Sequence, residues 1–132
     1  MSFDIYVNFF LNGKPRAISR NTVARAFGAI ADTSDPRGWW DLTDSRAVLL
    51  VHETDELEHL GVNRPPHGEH PFWPALVDFL RETRGVLYWP GGGQVVTDQA
   101  VAEHLPPEMI EIFGPPIVTD SVERILRAIQ ES

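Results

Sequence analysis

The segment from Arg64 to His70, which reads R-P-P-H-G-E-H, holds the densest group of chemically capable side chains in the sequence. His67, Glu69 and His70 offer two imidazoles and a carboxylate, groups that serve both metal binding and general acid–base chemistry. A zinc site needs three or four converging ligands, and the helical H-E-x-x-H arrangement is absent because the prolines exclude a helix. Exposed loop histidines are therefore the favoured interpretation, and a metal-dependent enzyme that uses the His67–His70 loop is the alternative.

Three consecutive glycines, Gly91, Gly92 and Gly93, follow the β-favouring run Val86–Trp89 and a proline. A loop without side chains lets another backbone come close. Phosphate-binding loops place their glycines before a helix and, in the Walker type, continue with Gly-Lys-Ser/Thr, whereas Gln94 follows here. The segment is predicted to be a buried strand that ends in a turn or a partner-contact loop.

An acidic run without any basic residue lies near the middle of the chain. Its members are Glu53, Asp55, Glu56 and Glu58. His52 and His59 flank this run, and a hairpin would place them near each other as a second metal-binding alternative. Acidic runs most often form a solvated turn, and they also attract basic partners over long range.

Nucleophilic catalysis has little support in the sequence. The chain has no cysteine, which excludes disulfides, thiolate metal sites and cysteine nucleophiles. It also has no G-x-S-x-G motif of the serine hydrolases. We therefore predict no catalytic residues, no metal and no cofactor, and a non-enzymatic function is favoured.

Size and charge limit the class of protein. A chain of 132 residues suits a single domain over 1–132, and its net charge of −8 opposes the phosphate neutralisation that nucleic-acid binding requires. The apolar N-terminal segment has no basic leader, and no apolar run approaches the length of a membrane span. These features predict a cytoplasmic protein that binds neither nucleic acid nor a membrane, and they leave its oligomeric state open.

The strands that would position these residues follow from alternation. Residues 3–11 alternate apolar side chains on one face with mixed ones on the other, which predicts a strand. Three further strands are predicted at Trp39–Thr43, Ala47–His52 and Glu58–Arg64, joined by short polar turns into an antiparallel meander.

Helices are predicted between these strands and after them. One helix begins after a cap at Ser19 or Asn21, and a second covers Phe72–Thr83 with its C-terminal cap at Gly85. A last helix has capping-box spacing that begins at Asp120. The sequence thus predicts an α+β domain with a mainly antiparallel sheet of about five strands and helices packed on it.

Three segments resemble a group of small bacterial proteins of about this length. They read F-D-I-Y-V-N-F-F, V-L-Y-W-P-G-G-G and A-V-A-E-H-L-P-P-E-M-I-E-I-F-G-P-P-I-V. The resemblance covers nearly the whole chain and implies no activity and no catalytic residues. In size, acidity and lack of cysteine the chain also resembles the immunity proteins of bacterial toxin systems.

These features favour a protein-binding module, and its specific form would be an immunity protein that covers the active site of a basic toxin domain. Aromatic residues next to Pro/Gly loops are either interface anchors or core residues, and two of the four are expected in the core; they are Trp39, Trp73, Tyr88 and Trp89. The predicted partner contacts are Glu53, Asp55, Glu56, Glu58, Arg64, His67, Trp89, Gly91, Gly92 and Gly93. The alternative is a small-molecule-binding protein whose pocket is formed by Trp89, His67, Glu69 and Asn8.

Overall fold

A computed structural model describes residues 4–131 of the chain. The strands are β1 (Asp4–Asn8), β2 (Phe10–Leu11), β3 (Lys14–Pro15), β4 (Ile18–Ser19), β5 (Trp39–Asp41), β6 (Val48–Leu50), β7 (Glu56–Leu57), β8 (His59–Asn63), β9 (Val86–Tyr88), β10 (Gln94–Val96) and β11 (Ile117–Val118). The helices are α1 (Arg20–Phe27), α2 (Phe72–Thr83), α3 (Gln99–Ala102), α4 (Pro107–Phe113) and α5 (Val122–Gln130).

Seven of the strands form one sheet in the order β11-β10-β9-β1-β8-β6-β5. Every neighbouring pair is antiparallel except β10 and β11, which are parallel. The α+β fold with a mainly antiparallel sheet is therefore confirmed. The sheet has more strands than the predicted five or so because the short β10 and β11 extend it beyond β9.

The predicted first strand over 3–11 is divided in two. Position 3 lies outside the described residues, β1 ends at Asn8, and β2 pairs with β3 in a separate hairpin. The division falls at Phe9, whose N–H donates to the carbonyl of Glu58 while its own carbonyl accepts from the N–H of Arg16. The chain thus changes its pairing partner at Phe9, and hydrophobic alternation contains no signal for such a change.

One face of the sheet is buried by α1, α2 and α5. Ile5, Val7 and Phe9 face this side and are fully buried, in one core cluster with Phe27 of α1 and Leu80 of α2. Ile125 and Ile129 of α5 complete it. The ring of Phe79 contacts two rings that are distant in sequence, with centroid distances of 5.9 Å to Phe9 and 5.3 Å to Phe27.

The other face carries α3 and α4 at one end only. A smaller apolar cluster joins Val86 and Val96 of the sheet to Val101 and Met109 of these helices. Gln94 of β10 is fully buried and forms hydrogen bonds to α4. Its Nε2 donates to the carbonyl of Met109 in α4 (3.2 Å) and to the carbonyl of Gly114 at the C-cap of that helix (2.7 Å).

The ends of two helices differ from prediction. Helix α2 has the predicted bounds, but its C-cap is Arg84, which adopts the left-handed conformation (φ 56°) in place of Gly85. Helix α5 is capped by the hydroxyl of Ser121, which accepts from the N–H of Arg124, so Asp120 is not its N-cap. Ser19 caps α1, as one of the two predicted alternatives.

The acidic run is more ordered than a turn. Glu56 and Leu57 form β7, which pairs with β4 in the register Ser19 to Glu56. The carbonyl of Asp55 accepts from the N–H of Arg20 at 2.8 Å. The run was predicted to be a turn because a strand of two residues is too short for a visible period of two.

Within residues 4–131, no helix is long and apolar enough to cross a bilayer.

Gly85 is required by packing rather than by backbone conformation. A Cβ atom there would lie 2.7 Å from Cγ1 of Val7 and 3.1 Å from Cε1 of Phe9, both in the core. We expect Gly85→Ala to lower the free energy of unfolding by about 1–3 kcal/mol through overpacking. Gly61→Ala is the matched control, since its Cβ would meet Leu50 at 3.5 Å, and we expect a change below about 1 kcal/mol. Urea denaturation of both variants checks this, and equal stabilities would contradict it.

Candidate functional site

The part of the sheet left uncovered by α3 and α4 forms an open face. Strand register aligns one residue from each of five neighbouring strands across it. This cross-strand row consists of Trp39, Leu50, Gly61, Tyr6 and Tyr88. Side chains in such a row are direct neighbours on one face of a sheet. The open face is therefore lined largely by aromatic and aliphatic groups.

Stacked rings give the middle of the open face a continuous surface. The ring of Tyr6 lies between those of His59 and Tyr88, with centroid distances of 5.3 and 5.5 Å and interplanar angles of 25° and 27°. Tyr88 in turn contacts Phe113 of α4 at 4.9 Å. At the far edge Trp39 is 61% exposed, an unusual exposure for so large an apolar side chain.

A polar network ties three strands together beside these rings. The Oδ1 atom of Asn8 accepts a hydrogen bond from the hydroxyl of Tyr88 at 3.1 Å and lies 2.6 Å from Nδ1 of His59. Because Oδ1 is an acceptor, Nδ1 of His59 carries the proton, and Nε2 is the acceptor in the neutral ring. Asn8 thereby fixes the orientation of one side chain on each neighbouring strand.

The network is uncharged near neutral pH. Burial lowers the pKa of His59 below its ordinary value of 6.5, and the nearby His52 lowers this pKa further. Burial also raises the pKa of the Tyr88 hydroxyl, with a smaller contribution from Tyr6. Desolvation disfavours the charged form of each group, so both remain neutral.

The four acidic residues of the run, called the acidic rim below, border one end of the open face. All of them are exposed: Glu53, Asp55, Glu56 and Glu58. Glu53 lies close enough to Arg37 to help raise the pKa of that guanidinium, although Asp35, at 3.1 Å, is the larger cause. Arg37 is also 5.9 Å from the ring centroid of Trp39. Glu53 therefore brings the acidic rim close to the exposed end of the cross-strand row.

The residues predicted as partner contacts fall at two ends of the sheet. Glu58 precedes β8 and Arg64 follows it, so six residue steps along this strand separate them by roughly 20 Å. The loop of His67 follows Arg64, and register places Gly91–Gly93 at that same end. The acidic rim and the loops, both predicted to contact a partner, therefore lie at opposite ends of β8.

Trp89 is not a surface residue, contrary to prediction. It is 4% exposed and belongs to the core beneath the helices. A Cβ at Gly92 would lie 1.7 Å from Nε1 of its indole, so this glycine makes room for the Trp89 ring. Trp73 is buried too, and the expectation that two of the four aromatic residues lie in the core is confirmed.

The His67–His70 loop does not assemble a metal site. Nδ1 of His70 accepts from the N–H of Phe72, and its Nε2 lies 3.0 Å from the carbonyl of Thr43, so both ring nitrogens are engaged at the start of α2. His67 and Glu69 are exposed. Within residues 4–131, no group of three or more histidine and acidic side chains is placed to hold a metal ion.

The predicted pocket of Trp89, His67, Glu69 and Asn8 does not form either. Trp89 packs on the helix-covered face. Asn8 projects from the opposite face, toward His59 and Tyr88.

The sequence pattern predicted part of the candidate site. Alternation placed Tyr6 and Asn8 together on the second face, and the predicted proximity of His52 and His59 is confirmed, with ring centroids 6.4 Å apart. Tyr88 was missed as their neighbour, because only the pairing of β9 with β1 brings it to Asn8.

Comparison with known protein families, curated sequences and solved structures finds no match to this chain.

We expect Gly92→Ala to displace the Trp89 ring and to lower the free energy of unfolding by about 2–4 kcal/mol. Gly93→Ala is the control, because its Cβ would come no closer than 3.7 Å to the same ring. Thermal unfolding and near-ultraviolet circular dichroism measure the effect. A Gly92→Ala protein with the stability of the control would refute this role for the glycine.

The lowered pKa of His59 makes stability depend on pH. In the unfolded chain His59 binds a proton near pH 6.5, whereas in the folded chain it binds one only at lower pH. The contribution of His59 to the free energy of unfolding is therefore fully present above about pH 6.5, and it decreases as the pH falls from there toward the pKa of the folded state. His59→Asn keeps a donor near Asn8 and should reduce this pH dependence. Urea titrations from about pH 5 to 8 check it.

An NMR titration separates the two causes of the lowered pKa of His59, which are burial and the nearby His52. His52→Asn suits the positive φ of 71° at this position, and it should raise the pKa of His59 part of the way toward 6.5. An unchanged His59 pKa in this variant would contradict the contribution of His52.

Proposed function

We propose that this chain is a non-enzymatic protein-binding module that contacts a basic partner through the open sheet face. The observation that carries this proposal is the cross-strand row, which leaves Trp39 at one end 61% exposed. Tryptophan and tyrosine are the residues most often found as energetic anchors of interfaces, since they bury a large area with few rotatable bonds.

Rigidity supports the same proposal. Tyr6 is stacked on both sides, and Tyr88 and His59 are held by Asn8. Side chains that are already ordered lose little conformational entropy when a partner binds. These side chains of the open face are thus ordered in the free protein, before a partner binds.

Charge defines the partner. The chain carries a net charge of −8, and Glu53 of the acidic rim lies near Arg37, whose guanidinium contacts the ring of Trp39. Asp41, two residues along β5 from Trp39 and therefore on the same face, is exposed as well. A basic protein would be attracted to this edge and would bury the aromatic row behind it.

The specific form of this proposal is a bacterial, cytoplasmic immunity protein that covers a basic toxin domain. Such a partner would be neutralised by occlusion, which needs a rigid surface and no catalytic group. The loops at the opposite end, with Arg64, His67 and Gly91–Gly93, would contact only a partner large enough to extend along the whole strand β8.

Removal of the exposed anchor tests the surface. The partner is captured from an extract of the source cells, purified, and titrated by calorimetry against the wild-type chain and the Trp39→Ala variant. We expect Trp39→Ala to weaken binding by about 30-fold or more, the effect of an interface hot spot. Neutralising Glu53 and Asp55 together should slow association at low salt and have less effect at high salt.

Ile112→Ala is the matched control, because Ile112 is 70% exposed on α4 and does not belong to the cross-strand row. It should leave the affinity unchanged within about twofold. Full affinity in Trp39→Ala together with lost affinity in Ile112→Ala would move the interface to α4. Self-association of the chain that Trp39→Ala abolishes would identify a second copy, and not a basic protein, as the occupant.

A further inference from the structure

A cleft of about 280 Å³ lies between the β2–β3 hairpin, the C-terminal end of α2 and α3, and it shares no lining residue with the cross-strand row. Its apolar wall includes Phe10, Leu11 and Val101. Phe10 is half-buried and Leu11 is 51% exposed. The volume is close to the lower limit of about 300 Å³ for ligand pockets, so the cleft suits a small ligand.

The polar wall of the cleft is rich in hydrogen-bond donors. Arg16, Arg84 and His104 line it. Glu82 is the acidic residue in the lining, and its carboxylate lies 3.6 Å from Arg25, which lies outside the lining. Two arginines and a histidine thus line one cleft of a protein with a net charge of −8. Such a local reversal of charge selects an anion against the field of the whole molecule.

Two of these donors are held in place by the fold. The guanidinium of Arg16 donates to the carbonyl of Thr83, the last residue of α2, which orients its remaining N–H groups. Nδ1 of His104 accepts from the backbone N–H of Asn12 at 3.0 Å, so its proton lies on Nε2. His104 therefore presents a donor, and the same bond fixes the hairpin against α3.

We propose that this cleft binds a small organic carboxylate. The carboxylate group would pair with Arg16 and Arg84, because a guanidinium matches the geometry of a carboxylate with two parallel hydrogen bonds. The apolar body of the ligand would cover Phe10 and Leu11. This site is separate from the proposed protein-binding face, and neither depends on the other.

The test uses sodium benzoate as the probe and the full-length chain labelled with ¹⁵N. We expect saturable shifts of the amides of Leu11, Arg84 and His104 at constant ionic strength. Benzyl alcohol, which has the same ring without the charge, should bind at least about fivefold more weakly, since it lacks charge-assisted hydrogen bonds. Inorganic phosphate, which has charge without the ring, should also bind more weakly than benzoate.

Arg84→Asn removes the charge at an exposed position and retains a residue type that tolerates the left-handed conformation there. It should weaken benzoate binding by about fivefold. Arg81→Gln, an exposed change on the same helix outside the cleft, should leave it within about twofold. Equal binding of benzoate and benzyl alcohol, equal loss in both variants, or shifts located outside the cleft would each overturn the proposal.

Discussion

Burial of one face of the sheet beneath α1, α2 and α5 is the interaction on which the rest of the structure depends. Val7 of the central strand β1 and Phe9, which directly follows that strand, are inaccessible there, packed with apolar groups of α1 and α2. Apolar burial on this scale is the main favourable contribution to folding. The 12-residue helix α2 packs on this face, whereas the other face is contacted by the shorter helices α3 and α4, with four and seven residues. These two helices pack at the β9–β10 end of the sheet and leave the other part of that face uncovered.

The uncovered part is stabilised by polar and aromatic contacts in place of a helix layer. Asn8 serves as the common acceptor for groups on both neighbouring strands, and Tyr6 stacks between the rings of those strands. These contacts satisfy the buried polar atoms that a half-exposed face contains. They also give that surface a defined shape without a second core. Stability and a surface suited to contact therefore arise from the same residues.

The fold was predictable where a period is long enough to read. Helix α2 has the predicted bounds, and the meander that ends in β8 forms as expected. Shorter elements were not predictable, since β7 has two residues and its pairing with β4 depends on distant chain. The fate of Trp89 shows the other difficulty. The sequence shows an aromatic residue beside glycines, and only three-dimensional packing decides that Gly92 accommodates the indole rather than a partner.

The central place of β1 in the sheet has a consequence for how the chain is made. Its two partners are β8 and β9, with Asp4 opposite Asn63 and Tyr6 opposite Tyr88. A ribosome therefore completes β1 first and delivers its neighbours only after much of the remaining chain has emerged. Until then β1 is without its sheet partners, whereas β5, β6 and β8 are close enough in sequence to pair with one another. The centre of the sheet thus depends on contacts between distant parts of the sequence, and such contacts slow folding.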